Sequence, residues 1–391
     1  MLKPFEKLLP KKERKPPEEI KKERALKLLS EIEEIQKKPE PEKTKEDYFK
    51  IVELLKDIER IFSPEKDPRL FWDWEIGKKL IVDWEKDYRE RFDDCWPPHF
   101  SPDGEKIAAL VKIGEKWTVA VDGKPCKEMF DDCWSPQFSP DGKNVAVIVK
   151  IGGKKTISVD GKPWEERFDD CWSPQFSPDG KNVAAPVEIG RKWTIAVNGK
   201  PWEERFDHCL VPQFSPNGKD IAAPVKIGKK ETVAINGKPW KEWFDSCGFP
   251  HFSPDGKNVA VSVKIGGKYT IAVNGKPWEE RFGDCRGSPH FSPDGEKIAA
   301  LVKIGEKWTV AVDGKPWKEM FDDCWSPQFS PDGEKIAVIV KIGGKKTISV
   351  DGKPWEERFD DCRNLQFSPD GKKIMVVIKE GNKYYRLVKE V

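Results

Sequence analysis

From residue 100 to the end of the chain, short apolar runs recur between charged residues and clusters rich in Gly and Pro. One stretch shows the pattern. Ser135-Pro136-Gln137-Phe138 predicts a short strand, ended by the turn Ser139-Pro140-Asp141-Gly142. Pro and Asp-Gly supply the fixed and the positive φ angles that tight turns need. Val145 to Val149 is an unbroken apolar run bounded by turns, the mark of a strand buried on both faces. Ile151-Gly152-Gly153-Lys154 turns again, Thr156 to Val159 alternates, and Asp160-Gly161 is a hairpin signal. Trp164 to Phe168 predicts a more polar outer strand. No 3.6-residue apolar period runs through the unit, which excludes a helical solenoid.

The unit repeats. Phe-Ser-Pro-Asp-Gly begins at Phe100, Phe138, Phe176, Phe252, Phe291, Phe329 and Phe367, and Phe214 opens a copy with Asn217 in place of Asp. The step is 38 residues, save one of 39 between Phe252 and Phe291, where Arg286-Gly287-Ser288 carries the extra residue. Phe62-Ser63-Pro64 marks a degenerate earlier copy. Residues 100–125 recur unchanged at 291–316, so a block of two units has been duplicated.

Four short antiparallel strands in about 40 residues, many times over, predict an all-β chain built as a β-propeller. The Phe-Ser-Pro-Asp-Gly-Lys opening before an apolar strand resembles the TolB-like, or PD40, branch of the WD40-like propellers. The resemblance covers residues 62–391 and implies a propeller used for protein binding. The Gly-His and Trp-Asp signatures of true WD40 repeats are absent. The last unit stops after three strands, whereas Lys86 to Phe92 offers a good fourth strand. Pairing the two would close a ring of eight blades without free edges. Eight is the favoured count; nine follows if the first unit forms its own blade.

Residues 1–61 differ in kind. Ile20, Leu28, Leu29, Ile32 and Ile35 form one helical stripe, Lys38 to Pro41 breaks it, and Tyr48, Val52, Leu55, Ile58 and Phe62 form another. The expected organisation is a helical leader over 1–61, a short hairpin of two amphipathic helices, followed by a propeller over 62–391. The leader either docks on the propeller or serves as a partner-binding arm.

Composition narrows the function. The charged fraction is 35%, yet 70 Lys and Arg nearly cancel 68 Asp and Glu. That balance argues against a nucleic-acid footprint. No run of 18 apolar residues predicts a membrane helix, and the charged start does not read as a signal peptide. With nine cysteines and no such signal, a reducing, cytoplasmic setting is expected. No P-loop, dinucleotide fingerprint or nucleophile elbow occurs. Near-identical repeats offer little of the asymmetry that catalysis needs, so neither catalytic residues nor a cofactor is expected.

Strand parity places the Phe-Asp-Asp-Cys segment and the Gly-Gly-Lys turn on one face, near the channel mouth. The second acidic positions are Asp94, Asp132, Asp170, Asp284, Asp323 and Asp361, with His208 and Ser246 in two copies. A ring of carboxylates would draw cations or a basic segment; alternatively each Asp bonds backbone N–H groups of its own loop. Eight cysteines occupy one repeat position and read as small buried residues. The Trp of each Gly-Lys-Pro-Trp motif reads as packing between blades.

The informative positions are those where copies disagree. After the loop Cys stand Trp96, Trp134, Trp172 and Trp325, but Leu210, Gly248, Arg286 and Arg363 elsewhere. Phe249 and Gly287 appear once each in that region. Difference gathered on one face suggests a binding patch there; drift in older copies is the competing reading. The function expected is a non-enzymatic scaffold that binds a protein or peptide through this face. A small-ligand or cation sensor, or a hydrolase at the same mouth, are the alternatives.

Overall fold

The structure, a computed structural model, describes residues 92–391 apart from Glu105, and before them only Ser30. The leader expected over 1–61 and the strand expected over Lys86 to Phe92 therefore fall outside the described residues, Ser30 and Phe92 excepted. The residues from 92 on belong to the unit Glu85–Val391.

This unit is a β-propeller. Eight antiparallel sheets follow one another in chain order, here blades 1 to 8, which open at Asp94, Asp132, Asp170, His208, Ser246, Asp284, Asp323 and Asp361. Blade 2 shows the plan: an inner strand Asp132–Phe138, a second strand Val145–Ile151, a third strand Lys154–Val159 and an outer strand Lys162–Pro163, each paired to the next. Blade 8 has three strands, Asp361–Phe367, Lys373–Glu380 and Lys383–Glu390.

Two strands depart from the pattern predicted above. The inner strand of blade 2 starts at Asp132, not Ser135, so both Asp132 and Cys133 sit in the sheet, opposite Lys150 and Val149. The register slips between Trp134 and Gln137, with Ser135 at φ 53°. Pro136 has no N–H to give the ladder, and a bulge absorbs it. In blades 1, 3, 4 and 5 the same proline divides the inner strand into two pieces. The outer strand is Lys162–Pro163 followed by a single bridge from Phe168 to Lys155, not a continuous Trp164–Phe168. Between them the chain bulges, and the Arg167 guanidinium donates to the carbonyls of Trp164 and Glu165.

The repeated motif earns its residues locally. Ser139 Oγ donates to Asp141 Oδ1 at 2.6 Å and accepts from Asn144 N–H at 2.9 Å, closing the turn between inner and second strands. Asp160, at φ 51° beside Gly161, forms the hairpin from third to outer strand, and its carboxylate accepts from Val145 N–H at 2.8 Å. These two turns thus share one face. Glycine is required at the hairpin for a second reason: a Cβ on Gly199 would meet Trp164 of the preceding blade at 3.2 Å.

Seven hydrophobic clusters lie between successive blades. Each joins the third strand of one blade to the Phe-x-x-Cys segment and second strand of the next, as Ile157, Phe168, Cys171 and Val187 do between blades 2 and 3. Trp164, Trp202, Trp240, Trp278 and Trp317 pack against these clusters and Trp355 lies within one, so the outer tryptophans are inter-blade packing. Among the described residues no such cluster joins blade 8 to blade 1.

Candidate functional site

The face opposite the Pro-Asp-Gly turns carries the acidic positions, and the first acid of each pair is a staple between blades. Asp245 Oδ1 accepts from Lys230 Nζ of the preceding blade at 2.7 Å, and its Oδ2 accepts from Gly266 N–H of its own blade at 2.7 Å. The Lys230 ammonium and then the Gly266 N–H hold this carboxyl below the usual carboxylate range. Asp131, Asp169, Asp207, Asp322 and Asp360 repeat both bonds. Asp93 accepts from Gly114 N–H at 2.6 Å. In blade 6 the position is Gly283.

The second position is less uniform. Asp94, Asp132, Asp170, Asp284, Asp323 and Asp361 each accept from the N–H of the following Cys. Three of them also bind a cation. Asp170 takes Lys155 Nζ at 2.6 Å, Asp361 takes Lys346 Nζ at 2.6 Å and Arg363 Nε at 2.6 Å, and Asp323 takes Arg286 at 2.5 Å. The cations lie over rings: Lys155 over Trp134 at 4.8 Å, Lys346 over Trp325 at 4.4 Å, Arg286 over Trp308 at 4.1 Å and Arg363 over Tyr384 at 5.9 Å.

A further position on this face, whose lysines the sequence places in an outer basic ring with Lys154 and Lys155 but whose departures from lysine it leaves unread, completes several of these groups. It lies one residue into the third strand: Trp117, Lys155, Trp193, Glu231, Tyr269, Trp308, Lys346 and Tyr384. It sits between the residue after Cys in its own blade and the second acid of the next. Where His208 replaces Asp, Trp193 takes the place of Lys and stacks on His208 at 5.9 Å, while Trp172 meets Trp193 at a tilt and His208 edge-on, both at 4.8 Å. Where Ser246 replaces Asp, Glu231 supplies the carboxylate and accepts from Cys247 N–H at 2.9 Å. At the Ser246 site the exchange is compensated within the chain, whereas Trp occupies the third-strand position before Asp132 and Asp323 as well as before His208. The signal was legible, because position 155 and its equivalents differ between copies that otherwise agree.

The predicted residues therefore divide. Asp170, Asp323, Asp361, Trp134, Trp172, His208, Arg286, Trp325 and Arg363 are joined in these groups, and Asp94, Asp132 and Asp284 bond their own backbone. Leu210 is half-buried and Ser246 exposed. Trp96 is 53% exposed and Phe249 52%.

The inserted Gly287, at φ 70°, lengthens the inner strand of blade 6 to Asp284–Phe291. A cleft of about 670 Å³ opens there against blade 7, lined by Arg286, His290, Phe291, Trp325 and Gln328 among others. His290 and His251 are neighbours on adjacent inner strands. Burial lowers both pKa values, and at His290 the neighbouring His251 lowers it further. Of the repeated cysteines, Cys133, Cys171, Cys209, Cys247, Cys324 and Cys362 are buried. Burial pushes the thiols of Cys209 and Cys324 up to about 12, which makes them inert. Among the described residues no cluster of three or more His, Cys, Asp or Glu is set to hold a metal ion.

Fold and face together define a β-propeller whose blades are tied by acid–lysine staples. No family model and no curated protein matches the sequence. Solved structures similar to it include propellers. The Dos1 propeller is 10% identical, with 75% of this chain and 92% of that chain covered at a TM-score of 0.39. TolB from Acinetobacter baumannii is 17% identical, with 67% and 79% covered and a TM-score of 0.28. The propeller domain of the Trilobed protease from Pyrococcus furiosus is 16% identical, with 66% and 96% covered and a TM-score of 0.31.

Proposed function

We propose that this chain is a non-enzymatic propeller that binds a protein or peptide through the stapled face. The supporting observation is that copies otherwise alike diverge on that face, where Trp96 and Phe249 stand more than half exposed. Exposed aromatic side chains on a rim of paired charges are the usual anchors of a protein interface. The cation-sensor reading draws less support, since the first acids are already bound to lysines and glycine N–H groups. Cysteines buried as packing residues between blades suit a reducing compartment, and we place the protein in the cytoplasm.

The test is retention of a protein partner from the source lysate. Trp96→Ala and Phe249→Ala together should lower retention at least tenfold while the melting temperature stays within about 1 °C, as expected for exposed positions. Undiminished retention by that variant would remove this face from the reading.

A further inference from the structure

The interface between blades 5 and 6 lacks two things that its counterparts possess. The first is a carboxylate. Seven copies place an Asp at the first acidic position, and blade 6 places Gly283. The backbone there is unchanged: Gly283 N–H donates to Lys303 O at 2.8 Å, as Asp131 N–H does to Lys150 O at 2.9 Å. A Cβ built on Gly283 meets nothing nearer than Lys303 O at 3.4 Å. The two donors that a carboxylate would satisfy are both present. Lys268 occupies the position of Lys230, and Gly305 that of Gly266. Among the described residues neither Lys268 Nζ nor Gly305 N–H has an acceptor, whereas the equivalent Lys230 and Gly266 both bind Asp245.

The second missing part is a cover for a ring. The position after Cys carries Trp, Leu or Arg in the other blades but Gly248 in blade 5. Gly248 lies against Ser262, whose Oγ would be 2.5 Å from a Cβ built there. Tyr269, next to Lys268, has no side chain from position 248 against it, and the Lys264 ammonium lies 5.1 Å from its centroid. Phe249, the next residue along the inner strand, points its ring to solvent at 52% exposure. The local charge favours an anion: among the described residues Lys264 and Lys268 have no carboxylate partner, while the turn's own acid, Glu306, pairs with Lys303 at 3.6 Å. Asp284 is turned to Cys285 N–H at 2.8 Å.

Resting on the reading above, we propose that this interface is the docking point for a peptide that carries an acidic side chain within a few residues of an aromatic one. Its carboxylate takes the place between Lys268 Nζ and Gly305 N–H that an Asp fills in six other blades. Its ring lies on Tyr269 beside Phe249, where the other blades use a side chain of their own. The peptide thus supplies from outside what the sequence withholds at one interface only.

The experiment uses the full chain and two probes, acetyl-Asp-Gly-Trp-amide and its Asn counterpart, titrated by saturation-transfer NMR. The Asp peptide is expected to give a saturable signal, at least tenfold stronger in affinity than the Asn peptide. Gly283→Asp should weaken the Asp peptide at least tenfold by filling the site from within, and Lys268→Ala should weaken it similarly. Gly283→Asp installs the residue that seven sister blades already hold, so it folds. Absence of saturation by the Asp peptide, or equal binding to wild type and Gly283→Asp, overturns the proposal. A protein partner retained equally by wild type and Gly283→Asp overturns this placement alone. A wild-type chain that retains no partner removes the broader reading instead.

Discussion

The interface between blades 2 and 3 and that between blades 5 and 6 have the same interior and different rims. Ile157, Phe168, Cys171 and Val187 form the first core, and Ile271, Phe282, Ile298 and Val302 the second, with half-buried Cys285 packed against it. At the rim, Asp169 binds Lys154 and Gly190 N–H, and Lys155 lies over Trp134 while pairing with Asp170. Across blades 5 and 6 stand Gly283, Lys268, Gly248 and Tyr269, with none of those bonds. Stability lives in the shared apolar layer, and the rim is free to vary because exposed ion pairs contribute little.

The largest test of that division is in the core. Phe168→Ala and Phe282→Ala should each cost about 3–5 kcal/mol in chemical denaturation. Both rings are almost wholly buried in equivalent clusters. Losses that differ by more than about 2 kcal/mol would mean that the two interiors are not equivalent after all.

Acid is the next lever, and it acts on the rims. Hydrogen bonds from Lys or Ser hold Asp131, Asp169, Asp207, Asp322 and Asp360 below the usual range, and hold Asp141 and Asp255 at about 2. In the unfolded chain these carboxyls take up protons near pH ~3.9. Between that value and about 2 the unfolded state binds more protons, so stability falls as pH falls through this window. Thermal melts should be flat in this respect above about pH 5 and fall modestly from pH 4 to pH 2, since these carboxyls are exposed. A melting temperature unchanged across that window would show that the staples contribute nothing.

A smaller effect is expected at the rim between blades 6 and 7. Arg286→Ala removes an ion pair with Asp323 and the cover of Trp308, together about 1 kcal/mol at a site this exposed. Arg286→Lys should retain most of it. Equal losses in the two variants would point to packing of the longer guanidinium and not to its charge.

Much of this was written plainly in the chain. Repeats of Phe-Ser-Pro-Asp-Gly and the Val145 to Val149 run predict the blade, because buried strands and tight turns admit few residue types. Less legible was the reach of the inner strand. Asp132 and Cys133 read as loop because Pro136 follows, yet a bulge lets the ladder continue through them. The split outer strand was hidden for a similar reason, since Arg167 closes its bulge with backbone contacts that have no sequence period. Positions such as Glu231 were missed because their partners, here Cys247 N–H, belong to the next blade, 16 residues away. Contacts between blades become visible only when the sheets are set side by side.

The smallest effect bears most directly on the comparison. Gly283→Asp would give the blade 5–6 rim the staple of the blade 2–3 rim, with Lys268 and Gly305 already in place. Because the pair is exposed, the gain in melting temperature should be about 1 °C. The converse change, Asp169→Gly, should lower the melting temperature by more than that. It removes the staple and also adds backbone freedom to the unfolded chain. The asymmetry is itself diagnostic. If Gly283→Asp instead lowers the melting temperature, the donors at blade 6 are not disposed as in the sister blades, and the two rims differ in geometry as well as in composition.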